Sequence, residues 1–147
     1  MEWLWIAMGG AAGATARAAL GQLVGRWAGH AFPWPTLAIN ILGCLAMGIL
    51  DGILAARPGS TAWARPLIGI GLLGGFTTFS AFGLETNRLI QRHAPGEAAT
   101  YVALSLIMGI GAIPVGHELA RRVAGGLHPP GLSTSGAEAA KAEHPSQ

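Results

Sequence analysis

The stretch Gly71–Glu85 reads GLLGGFTTFSAFGLE and decides how the chain is understood. It lies inside an apolar region long enough to cross a bilayer, yet its middle is not apolar. Gly74 and Gly75 remove two side chains, while Thr77, Thr78 and Ser80 add three hydroxyls. Phe76, Phe79 and Phe82 recur every three residues and share one face of a helix. A helix in lipid gains nothing from adjacent glycines and hydroxyls unless something polar passes there. Unwound backbone is tolerated at membrane depth only where it is buried in protein or lines a cavity. The stretch therefore predicts a broken transmembrane helix whose break, at the glycines, coordinates a small ligand or ion.

The composition of the whole chain agrees. Of 147 residues, 51% are hydrophobic and only 11% charged, against roughly 25% charged in ordinary soluble domains. Mean hydropathy is +0.46 even with a polar C-terminal stretch included. The 23 glycines sit inside apolar runs, as small residues do where transmembrane helices meet. A formal charge of +2, dispersed along the chain, is too small to point to nucleic acid. The single cysteine, Cys44, rules out an intrachain disulfide. Glu2 and the lack of a basic start speak against a cleaved signal peptide.

Working outward, four apolar spans emerge, since about 20 helical residues cross the hydrocarbon. The first, Trp3–Val24, carries small-xxx-small spacing at Gly9 and Gly13 and at Gly10 and Ala14, which predicts close helix packing. Arg17 lies in its far half, either snorkelling to the interface or serving as a structural or ion-attracting charge that faces the interior. The second, Thr36–Ala56, holds Asn40 one turn before Gly43. An amide there must find partners, either on another helix or on a passing anion. The third, Pro66–Leu89, contains the opening stretch and ends near Glu85, read as a carboxylate close to the membrane surface and paired with Arg88. The fourth, Glu97–Val123, places Tyr101, Ser105 and Gly109 along one face. Pro114 should kink it, and His117 at its end is read as solvated. Trp3, Trp5, Trp27 and Trp34 suit interfacial belts. Residues 1–124 thus form an all-α membrane domain of four transmembrane helices, and residues 125–147, lacking periodic apolar residues, predict a disordered tail.

No catalytic constellation appears: Ser80 has no histidine in its span, and no two carboxylates share an intramembrane face. The polar residues within the spans are mainly neutral donors, namely Asn40, Thr77, Thr78, Ser80, Tyr101 and Ser105. Donors without intramembrane carboxylates fit an anion better than a cation. The positive edges of Phe79 and Phe82 could face the same pathway.

These residues resemble a known family. Gly74–Phe82, GGFTTFSAF, is similar to the third-helix signature of the small Fluc/CrcB fluoride channels. Gly9–Arg17, GGAAGATAR, resembles the family's first-helix glycine motif, and Thr36–Gly48, TLAINILGCLAMG, its second-helix motif. Three motifs in order, within about Met1 to Val123, make the match specific. The resemblance implies a dual-topology antiparallel homodimer in the cell's inner (plasma) membrane, with two pathways for passive export of fluoride and hence protection against its toxicity. It implies no enzyme activity. By motif position, Asn40 is a pore amide, Phe79 and Phe82 flank the fluoride positions, and Thr78, Ser80, Tyr101 and Ser105 supply hydroxyls along the path. The backbone carbonyls of Gly74 and Thr77 from both subunits hold a central structural Na⁺, and Arg17 is the first-helix arginine. Ala81 stands where the family usually has Thr or Ser, Leu45 where Phe is common, Cys44 where Ser is common, and Pro35 where Gly is usual.

Two other classes fit the size. A small four-helix multidrug exporter would carry a membrane-embedded glutamate in its first helix, whereas this span has only Glu2 at its start and Arg17 inside. A non-transporting scaffold subunit would leave the hydroxyl–phenylalanine stretch idle. The basic residues flanking the spans divide as Arg57, Arg65, Arg121 and Arg122 (with distant Lys141) on one side and Arg26, Arg88 and Arg92 on the other. A bias this weak permits insertion both ways. Reporter tags at the two termini should each be found on both sides of the membrane, and a single orientation would contradict dual insertion.

Overall fold

The computed structural model describes residues 2–29, 31–56 and 62–126, and all regular structure among them is helical. Helix α1 spans Glu2–Ala28 and α2 spans Trp34–Ala56. A π-helical segment, Arg65–Leu73, begins with proline in its first turn, where a missing N–H costs nothing. It passes into α3, a single turn at Gly74–Phe76. After a break, α4 runs over Phe79–Gln91 and α5 over Pro95–Gly126. The wide winding is direct: the Gly74 N–H reaches the Gly69 carbonyl five residues back.

Among the described residues, three segments are long and apolar enough to cross a membrane: Trp34–Ala56, Arg65–Gln91 and Pro95–Val123. Helix α1 has 27 residues, about 40 Å at 1.5 Å per residue. Its apolar content is thinned by Gly, Ala, Arg17, Gln22 and Arg26, so the expected first span matches in length and not in hydropathy. Helix α5 extends to Gly126, past the expected start of the polar tail, and residues 127–147 lie outside those described. So do residues 57–61, most of the second connection.

Glycine sets the helix pairing. In lipid, association relies on close van der Waals contact rather than on expelling water. A β-carbon at Gly48 would strike the Ile113 carbonyl, and one at Gly52 would lie 2.7 Å from the His117 carbonyl oxygen. Gly109 faces Cys44 at 3.7 Å. The pairs 44–109, 48–113 and 52–117 share one offset of 65 residues, so α2 and α5 run parallel along their length. Helix α1 meets the π-helical segment in the same way. Cβ atoms at Gly9 and Gly13 would collide with the Leu67 and Leu72 carbonyls, while one at Gly75 would lie 2.7 Å from the Gly10 carbonyl oxygen. The glycines of α1 expected to mediate packing therefore do so.

Between α4 and α5 the chain reverses tightly. His93 adopts a left-handed φ of 57°, and Ala94 N–H bonds to the Leu89 carbonyl at 3.1 Å. This closes α4 with a capping turn of the Schellman type. The reversal drops Leu89 onto Ala98 and Tyr101, which with Leu37 form the buried cluster at this end. At the far end His117 Nδ1 lies 3.0 Å from Asp51 Oδ2, tying α5 to α2, and Arg122 donates to Glu118 at 2.8 Å. His117, expected to be solvated, is thus an interhelical partner.

The close contacts make a direct stability prediction. Gly48→Ala places a methyl against backbone that cannot rotate away, and should cost about 1–3 kcal/mol. Gly96→Ala, with open space at its β-position, should stay within about 0.5 kcal/mol. Denaturation of the purified protein in detergent compares them. Equal stability of the two variants would contradict the packing account.

Candidate functional site

The break lies at Thr77–Thr78, two residues beyond the glycines. Thr77 has ψ 159° and Thr78 has φ −150° and ψ 119°, both extended. Gly74 and Gly75 are still helical; Gly75 serves the approach of α1. This corrects the expectation that the glycines themselves unwind. Thr77 closes the preceding turn, with its N–H and its hydroxyl both donating to the Leu73 carbonyl at 3.0 Å. Thr78 opens the next helix, its Oγ1 accepting from Ala81 N–H at 3.2 Å as an N-cap.

Asn40 on α2 holds the open backbone between them. Its Oδ1 accepts the Thr78 N–H at 2.8 Å, and its Nδ2 donates to the Thr78 carbonyl at 3.0 Å. The side chain thus pairs with one residue's backbone as a neighbouring strand would. Gly43, one turn along, makes room, since a β-carbon there would strike the Thr77 methyl and come within 3.4 Å of the Phe76 ring. One amide N–H of Asn40 is left over from this pairing. The pairing and the Thr78 cap also divert donors. Thr78 N–H would close a helical turn on the Gly74 carbonyl, and Ala81 N–H on that of Thr77. Both bond elsewhere.

From the break a row of aromatic rings leads toward the α4–α5 reversal. Phe79 and Phe82 have centroids 5.6 Å apart, and Phe82 and Tyr101 5.2 Å. Phe32 meets Tyr101 edge-on at 5.6 Å and 83°. Phe79 is 82% exposed in the single chain, whereas Tyr101 is fully buried. Beside Phe79 the hydroxyls of Thr78 and Ser80 lie 3.2 Å apart. At the other end of the row Glu85 accepts from the Tyr101 hydroxyl at 2.7 Å and from the Thr36 hydroxyl at 2.8 Å.

The structure therefore gathers Asn40, Thr77, Thr78, Phe79, Ser80 and Phe82 around the break, with Tyr101 completing the aromatic row. Ser105 lies one turn past Tyr101 on α5 with its hydroxyl oxygen buried and without a partner among the described residues. Arg17 is half-buried on α1, a separate helix. Two site residues were missed. Glu85 does not pair with Arg88 but receives Thr36 and Tyr101, and Thr36 was read only as the start of a span. The signal available was spacing: Glu85 follows Phe82 by three residues and so shares its face, while a buried tyrosine hydroxyl needs an acceptor.

The sequence also matches known proteins. The family model described as CrcB-like protein, Camphor Resistance (CrcB), matches residues 4–117. A protein of Erythrobacter litoralis named fluoride-specific ion channel FluC is 48% identical over 121 residues, covering 79% of this chain and 89% of its own. Proteins of the same name from Phenylobacterium zucineum and Novosphingobium aromaticivorans are 48% and 47% identical over 122 residues, each covering 82% of this chain and 95% and 96% of their own. The chain belongs to the CrcB family.

Proposed function

We propose that the chain forms a fluoride-selective channel, letting fluoride leave the cell passively across the inner membrane and so limiting its toxicity. The family and the names of its relatives support the ion. The observation that carries the reading is the unwound Thr77–Thr78 backbone, pinned by Asn40 and followed by the Phe79–Phe82 pair. Fluoride is small and strongly hydrated, so its path must replace water with donors. The spare Asn40 N–H, the Thr78 and Ser80 hydroxyls, and the positive ring edges of Phe79 and Phe82 are such groups. Tyr101 donates its proton to Glu85 and so offers the path its ring edge, while Ser105 has a hydroxyl free to donate.

The working unit in this reading is an antiparallel homodimer with all four long helices crossing the membrane. Helix α1 runs parallel to the Arg65–Gln91 span at backbone contact, which supports its crossing alongside. The 82% exposure of Phe79 supports a partner surface over the break. The Gly74 and Thr77 carbonyls, both deprived of their helical donors, are hard oxygen ligands that suit Na⁺. Two such pairs from opposed subunits would hold one ion at the dimer axis, joining the two breaks. Arg17, away from both ends of α1, serves as a structural charge within this unit.

Replacing Phe79 or Phe82 by isoleucine should slow fluoride efflux from liposomes on the order of tenfold per site while the dimer remains folded, because aliphatic carbon lacks the positive ring edge. Unchanged efflux in both variants would contradict the aromatic role. Asn40→Asp sets a carboxylate oxygen against the Thr78 carbonyl in place of a donor. The lost bond, on the order of 1–3 kcal/mol, should lower efflux by roughly tenfold or more. Normal efflux at neutral pH would remove Asn40 from the pathway.

A further inference from the structure

The α4–α5 end of the aromatic row opens into a cavity of about 300 Å³. Phe32, Glu85, Arg88 and Arg92 are among the residues lining it. Glu85 sits where the cavity meets the row, its oxygens engaged by Thr36 and Tyr101. An anion entering here must pass that carboxylate. It also meets the C-terminus of α4, where Arg92 is the cap residue and the helix dipole presents about half a negative charge. Carboxylate and helix end together bring about one and a half negative charges. Left alone, they would repel the ion that the row beyond is built to accept.

Arg88 and Arg92 lie one helical turn apart on α4, and among the described residues neither is in an ion pair. Their two positive charges slightly exceed the negative ones, and loss of either reverses the sign of the mouth. We propose that Arg88 and Arg92 form an anion-collecting rim at this mouth, which draws a small hydrated anion past Glu85 to the aromatic row. The inference rests on the fluoride reading above, and it assigns to these arginines the rate of entry rather than the choice of ion. Charged walls around a narrow opening concentrate ions of opposite sign, and the effect fades as salt shortens the screening length.

The test compares wild type with Arg88→Gln, Arg92→Gln and the double Arg→Lys variant in liposomes of zwitterionic lipid. Initial fluoride efflux is read by electrode, with the potassium counter-flux supplied by an ionophore. At ionic strength on the order of 0.01 M, where the screening length is about 30 Å, each Gln variant should be slower by about three- to tenfold. At about 1 M, where it is about 3 Å, the difference should vanish, and the Lys variant should follow wild type throughout. A Gln variant as fast as wild type at low salt, or slower by the same factor at both salts, overturns the rim while wild type still conducts. A wild type that releases no fluoride at either salt overturns the channel reading, and the rim with it.

Discussion

The structure depends on one side chain standing in for a peptide. Asn40 gives an acceptor to the Thr78 N–H and a donor to the Thr78 carbonyl, at 2.8 and 3.0 Å. A broken helix inside a membrane would otherwise leave these groups unsatisfied, at several kcal/mol each. With the pairing made, the break becomes a fixed feature. It sets where α4 begins and thus where Phe79 and Phe82 project. It also turns the Gly74 and Thr77 carbonyls away from helical partners.

Such a pairing requires α2 to approach the third span closely, and small residues make that possible. Gly43 admits Thr77, Gly48 and Gly52 bring α5 to α2, and Gly9, Gly13 and Gly75 bring α1 to the π-helical segment. The bundle is two parallel helix pairs in backbone contact, joined across the break by Asn40. Lipid offers helices little hydrophobic incentive to associate, so contact distance carries the energy. Polar groups meet their bonds at the break, in the Glu85 cluster, and in the Asp51–His117 pair at the other end.

Much of this was legible in the sequence, and what was not has physical causes. Length and hydropathy marked three of the spans; α1 was read as a fourth apolar span, which its length bears out and its hydropathy does not. The hydroxyls beside Gly74 and Gly75 marked a break, but composition cannot say which residue unwinds. Glycine serves close contact as readily as chain reversal, and here Gly75 is used for contact. Asn40 was open between an interhelical partner and an ion ligand, and the geometry gives it the first task while leaving one N–H. Glu85 was misjudged because nearness in sequence favoured Arg88, whereas its partners Thr36 and Tyr101 come from two other helices. Spacing places Glu85 on the face of Phe82, but it does not say which residues of other helices meet that face.

In the function proposed above, this break, its hydroxyls and its aromatic edges pass fluoride and reject the larger halides. Purified protein in liposomes loaded with equal fluoride and chloride, followed by two ion-selective electrodes, tests this most directly. Fluoride should be released fast, with negligible release of chloride. Equal release of both ions, or none from folded protein, would contradict it.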